Sequence, residues 1–234
     1  MFHGKVKAVA FDADDTLWVN EPFFDRAKAD IAEMMSGYAP ADKFTEVLEQ
    51  TQSRNIGVFG YGVKSFVISM VEAANKVSRG KVTEAEIASI IELGRRMLTN
   101  PVEPIKGVEE VLRSLGSEFK LLMITKGDVA EQQRKISLSG FSSYFDHIEI
   151  LSEKDEAAYR HILSKYSIRH DEFLMVGNSV KSDILPVVEI GGRAAHIPFH
   201  TTWVHEVVCA DKLCRRDYVE LDSVAELLPL LIHS

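Results

Sequence analysis

Short apolar runs recur along this chain and end in polar turns. Residues 6–11, 120–125, 147–151, 173–177 and 194–198 each read as a buried strand. Between most of them the spacing shifts to the three-and-four rhythm of an amphipathic helix, over residues 108–115, 129–137, 156–165 and 183–189. Strands that alternate with short helices predict an α/β fold built on a doubly wound parallel sheet.

From about residue 20 to residue 100 the pattern is different. Helical periodicity runs through 24–35, 43–53, 64–77 and 84–98 with little strand signal. Thr83-Glu84-Ala85-Glu86 has the form of a capping box that opens the last of these helices. Pro101 and Pro104 then interrupt the pattern before the sheet resumes. The expected division is an α/β core from residues 1–18 and 103–234, with an all-helical cap from 19–102 inserted after the first strand. An insertion at a strand's carboxyl end is well placed to act as a lid, and a structural addition is the plainer alternative.

Bulk properties narrow the function. A 234-residue chain with 46% hydrophobic residues can bury a sizeable core. Its net charge of −8 disfavours nonspecific nucleic-acid or anionic-membrane binding, which needs basic surface. No apolar run approaches the ~20 residues that span a bilayer. Met1-Phe2-His3-Gly4-Lys5 lacks a signal-peptide pattern, and Cys209 and Cys214 match no common zinc spacing. The expectation is a cytoplasmic protein with reduced thiols.

Candidate chemistry collects where the strands end. Asp12 and Asp14 follow the first strand, and ligands gather at the carboxyl ends of parallel sheets. Two carboxylates there can hold a cation or do nucleophilic and acid–base work, and they can equally be turn or helix-capping residues. Thr125-Lys126-Gly127 ends the second strand, where a hydroxyl, a cation and a tight turn suit a phosphate. Lys154 follows the third strand, where a lysine at a helix start more commonly faces solvent. Gly177-Asn178-Ser179 ends the fourth, and Asp183 opens the helix beyond it as an Mg²⁺ ligand, an N-cap, or both.

These four segments, in this order and with a helical insertion after the first, resemble the haloacid dehalogenase superfamily of phosphohydrolases. The resemblance covers nearly the whole chain and implies a Rossmann-like core with a helical cap. It implies that Asp12 is a nucleophile forming a phosphoaspartate and that Asp14 is the general acid and base. It implies that Thr125 and Lys154, with Lys126 beside them, hold phosphoryl oxygens. Mg²⁺ would be bound by the Asp12 carboxylate, the Asp14 carbonyl and Asp183, with Asn178 near it. Asp14 has to be protonated for its first task, so a raised pKa is expected with the help of a nearby leaving oxygen. Two departures stand out: Asp15 lies where many members have Gly, and Asn178 where an acid is common, which predicts weaker metal binding.

The implied activity is hydrolysis of a small phosphorylated metabolite. A sugar-phosphate mutase, a dehalogenase and a noncatalytic binding module are the alternatives; Asp14 argues against the dehalogenase. Arg54, Tyr61 and Lys64, around the glycine-rich stretch 57–64, are candidate contacts to the leaving group, the plainer reading being an interhelical loop with Phe59 buried. His196, His200, His205 and Glu206 invite a zinc reading, but their spacing matches no compact metal site. Substrate identity and oligomeric state are not legible.

Overall fold

The computed structural model describes residues 5–200 and 218–232. Contacts divide the chain into two compact units, one containing the chain up to Val19 and from Val102 onward, the other Asn20–Pro101.

The first unit is built on six strands: β1 (Ala8–Phe11), β2 (Lys120–Lys126), β3 (His147–Leu151), β4 (Phe173–Gly177), β5 (Arg193–His196) and β6 (Tyr218–Glu220). They form one parallel sheet in the order β3-β2-β1-β4-β5-β6. The expected α/β class with a parallel sheet therefore holds. β1 lies between β2 and β4, with Phe11 opposite Met123 on one side and Val176 on the other. The chain passes from β1 to one half of the sheet and later returns to build the other. Ligands bind at the carboxyl ends beside such a reversal.

All four residues of β1 are buried because both faces of the sheet are covered. Val9 and Phe11 pack with Leu121, Met123, Leu174 and Val176 beneath α5 (Val108–Leu115). That helix buries Val108, Val111, Leu112 and Leu115, one face at helical spacing. Ala8 and Ala10 face the other way, toward Leu122, Ile124, Phe173 and Met175. α7 (Glu156–Lys165) covers them with Tyr159, Ile162 and Leu163. Two further helices belong to this unit's site or edge: α6 (Val129–Ser139) and α8 (Leu185–Glu189). α9 (Leu227–Leu231) closes the described chain.

The second unit is all-helical: α1 (Glu21–Met34), α2 (Ala41–Phe59), α3 (Val63–Val77) and α4 (Glu84–Thr99). Ile31, Met35, Phe44, Leu48, Phe66, Met70 and Ile90 form its core. The Thr83 capping box is present, with the Glu86 N–H donating to Thr83 Oγ1 at 3.3 Å and the Thr83 N–H to Glu86 Oε2 at 2.7 Å.

Two local expectations are corrected. Residues 57–59 are the last turn of α2 rather than a loop; the helix ends at Gly60, whose positive φ of 73° is one that glycine adopts freely. Phe59 is 53% exposed, not buried. The helix expected to open at Asp183 begins instead as a wide π-helical turn over Val180–Ile184, which puts Asp183 inside it. Ser179 is the cap, accepting from the Ser182 N–H at 3.0 Å.

Candidate active site

The strand order brings the ends of β1, β2 and β4 side by side. Asp12 extends the ladder by one bond, its N–H donating to Val176 O at 2.9 Å. The chain then turns sharply: the Leu17 N–H donates to Ala13 O at 2.8 Å and the Asp15 N–H to Trp18 O at 2.7 Å. Asp15 sits at φ 61°, in the left-handed region that glycine enters freely and aspartate tolerates better than most residues. That explains how an acid serves at a position where glycine is the easier fit.

Three ionisable side chains meet behind this turn. Lys154 Nζ donates to Asp12 Oδ1 and, at 2.7 Å, to Asp183 Oδ1. The Lys154 side chain is only 1% exposed, so the solvent-facing alternative for this residue is excluded. Burial works against its charge, but the two carboxylates outweigh it and push its pKa up to about 12. Burial raises Asp12 to about 7: Lys154 lowers it, while the neighbouring Asp183 raises it further.

Asp183 differs from its expected orientation. Its Oδ1 faces Lys154, and its Oδ2 accepts the Ser179 N–H at 3.0 Å. The side chain that faces the Asp12 and Asp14 oxygens is Asn178. With its amide nitrogen turned inward it donates to Asp14 O at 3.2 Å, Asp12 Oδ2 at 3.3 Å and Thr16 Oγ1 at 3.3 Å. Among the described residues no group of three or more His, Cys, Asp or Glu side chains is arranged to hold a metal. The convergent set is a carboxylate, a backbone carbonyl and an amide, whose oxygen faces inward when the amide is reversed. Such an all-oxygen set fits Mg²⁺, which takes few protein ligands and keeps its waters, better than zinc.

Gly177 makes this packing possible. A Cβ built on it would lie 2.6 Å from Asp183 Cβ, closer than the backbone can absorb without moving. Gly177→Ala is therefore expected to displace Asp183, loosen Lys154 and lower kcat/KM by roughly 10²-fold or more. A steady-state assay with thermal unfolding checks this; wild-type values for both would contradict the packing argument.

Asp14 stands apart from the Lys154 cluster. Its Oδ1 accepts from Trp18 Nε1 at 2.7 Å and its Oδ2 from Gln132 Nε2 at 2.8 Å. Lys135 Nζ lies 2.7 Å from both oxygens. Burial acts to raise the Asp14 pKa, but the Lys135 charge and these hydrogen bonds lower it below the ordinary value. Three donors, through four hydrogen bonds, hold the carboxylate as an anion, so the raised pKa expected of Asp14 is one that the substrate's leaving oxygen has to bring about.

Thr125 is buried at the end of β2. Lys126 Nζ donates to Ser182 Oγ at 2.9 Å, tying the β2 end to the turn after β4. His196 places Nε2 3.1 Å from Asn178 O and Nδ1 3.2 Å from Glu220 Oε2, so it braces the Asn178 backbone. His205, Glu206, Cys209 and Cys214 lie outside the described residues. In the helical unit, Arg54 pairs with Glu72 at the surface. Tyr61 lies in the α2–α3 turn and Lys64 in the first turn of α3. Sequence reading missed Thr16, Trp18, Gln132 and Lys135. The available signal was Gln132 and Lys135 at i and i+3, on one face of a helix that follows a strand end.

A family model described as a haloacid dehalogenase-like hydrolase matches residues 6–191. The N-acylneuraminate-9-phosphatase of Mus musculus is 29% identical over 104 residues, 42% of this chain. The match spans only 40% of that protein's length. Pyrimidine 5'-nucleotidase YjjG of Escherichia coli is 26% identical over 196 residues, 78% of this chain and 82% of that one. Among solved structures, a haloacid dehalogenase-like family hydrolase from Xanthomonas campestris has a TM-score of 0.84 and 34% identity, covering 94% of this chain and 88% of its own.

Proposed function

The chain belongs to the haloacid dehalogenase-like hydrolases, and from that premise we propose that it is a Mg²⁺-dependent phosphatase of a small phosphorylated metabolite. The observation that carries the reading is the Lys154 ammonium hydrogen-bonded to both Asp12 and Asp183, with Asn178 facing the Asp12 and Asp14 oxygens. Relatives named for phosphate-ester hydrolysis support the reaction class.

Asp12 attacks phosphorus as the bond to the leaving oxygen breaks, and Asp14 delivers the proton that oxygen needs. Because Asp14 rests as an anion, that proton must be acquired when substrate binds. Water then attacks the phosphoaspartate, the bond to Asp12 breaks, and Asp14 takes the water's proton. Lys154 orients Asp12 and offsets part of the repulsion between carboxylate and phosphate. Thr125 and Lys126 are proposed to bind phosphoryl oxygens. The Asp12 carboxylate, the Asp14 carbonyl and Asn178 would hold Mg²⁺, with Asp183 fixing Lys154 behind them. When bound, Mg²⁺ neutralises charge on the phosphoryl oxygens.

Specificity is proposed to lie in the helical unit. Arg54, Tyr61 and Lys64 are candidates there, along with the polar seam where Asn55 Nδ2 donates to Ser69 Oγ at 3.2 Å. Among the described residues no helix is long and apolar enough to cross a membrane. Phosphate release across a panel of sugar phosphates, nucleoside monophosphates and phosphorylated acids, with Mg²⁺ and with EDTA, tests the function. Release that needs Mg²⁺ supports it; isomerised sugar phosphate without free phosphate would make the protein a mutase.

The Asp12 pKa yields a second test. A nucleophile has to be anionic, so with a pKa of about 7 the metal-free carboxylate is neutralised as pH falls through that value. A cation competes with the proton for the same oxygens. At low Mg²⁺ the acid limb of kcat/KM is expected near pH 7, moving to lower pH as Mg²⁺ rises. An acid limb indifferent to Mg²⁺ would remove Asp12 from the metal site.

A further inference from the structure

We propose that Lys135, assisted by Gln132, is a positioning residue for Asp14, anchoring one carboxylate oxygen while the other turns to the substrate's leaving oxygen. The inference rests on the phosphatase reading and deepens it.

Asp14 is clamped from two elements. Trp18, buried in the turn after β1, gives Oδ1 its indole N–H; a buried indole needs such an acceptor. Gln132 and Lys135 come from one face of α6, whose start is set by Asp128 Oδ1 accepting the Glu131 N–H at 3.0 Å. Gly127 admits Gln132, since a Cβ there would lie 2.9 Å from Gln132 Nε2. That nitrogen also donates to Lys126 O at 3.0 Å, so the amide is tied at two points. Its Oε1 is buried and accepts no hydrogen bond.

The ammonium contacts explain the division of labour. Lys135 Nζ stands 2.7 Å from each Asp14 oxygen, with Glu131 farther off at 3.8 Å. If Oδ2 leaves Gln132 to meet a leaving oxygen, Oδ1 keeps both Trp18 and Lys135. The carboxylate then turns about a held point and does not search all its rotamers. Pre-orientation of this kind acts on the step that moves the proton and not on substrate capture.

The test compares wild type, Lys135→Met, Lys135→Gln and Lys135→Arg on a leaving-group series. p-Nitrophenyl phosphate needs little proton assistance to lose its phenolate, whereas alkyl phosphates such as glycerol phosphate need it strongly. In Lys135→Met, kcat/KM for the alkyl esters is expected to fall about 10-fold or more beyond any fall for p-nitrophenyl phosphate. Lys135→Arg should restore most of the difference, because a guanidinium can bridge both oxygens. Should Lys135→Met fail to fold, Lys135→Gln, which keeps a hydrogen bond but no charge, carries the same comparison. A parallel loss on every ester, or no loss, overturns the positioning role and leaves the phosphatase reading intact. A wild type that releases phosphate from no ester overturns both.

Discussion

Asp12→Asn is expected to abolish phosphate release, by roughly 10⁵-fold, and to leave the protein folded. The reaction loses the atom that attacks phosphorus, and neither Asp14 nor Asp183 can replace it. Asp14 is held by Trp18, Gln132 and Lys135, and Asp183 is turned toward Lys154 and the Ser179 N–H. Stability should respond in the opposite direction. Asp12 is raised from 3.8 to about 7 because burial penalises its charge. A group raised in the folded state stabilises it least at high pH, so the wild type loses stability as pH rises from about 4 through about 7. Asparagine carries no such dependence. The variant's advantage should therefore develop across that window and stay level above it, with Lys154 still paired to Asp183. Phosphate assays and thermal unfolding from pH 5 to 8 measure both effects. Near-normal turnover would eliminate Asp12 as the nucleophile.

Lys154→Met should fail differently, by unfolding as well as by inactivity. Removing the ammonium leaves Asp12 and Asp183 facing each other in the interior with no cation between them. Breaking a buried pair by deleting one partner costs about 3–5 kcal/mol, because the remaining charge is uncompensated. Here two carboxylates lose the same partner. Lowering the pH should return part of the loss, since protonated carboxyls do not repel. Denaturant titrations at pH 5.5 and pH 8 would show it as a larger deficit at pH 8. Equal deficits at both would mean that lost packing, not charge, dominates.

Much of the fold was legible because parallel strands covered on both faces must be almost wholly apolar, and such runs stand out. The first strand, for example, could be read from Val6 to Phe11 without knowing its neighbours. The helical insertion was legible through Ile31, Met35, Phe44, Leu48, Phe66 and Met70, which recur at helical spacing and form its core. Where the reading slipped, local grammar was ambiguous. The helix expected to stop at residue 53 runs on through Gly57, because glycine inside a helix costs only about 1 kcal/mol, and it ends at Gly60. The wide turn at Val180–Ile184 has no periodic signature. β6 has three residues and α9 five, too short for any pattern to register.

The order of residues along the chain was enough to mark where chemistry would occur: acids, a hydroxyl and lysines at the ends of buried strands. It was not enough to say what state those groups would be in. Asp14 is lowered and Asp12 raised although they are two residues apart and start from the same value. The difference comes from Lys135, 121 residues away from Asp14, and from burial beside Asp183. Hydrophobic periodicity is a short-range code for which face is buried. Charge state depends on distances of a few ångströms between remote segments, and the parallel register of β1 with β2 and β4 is what sets them.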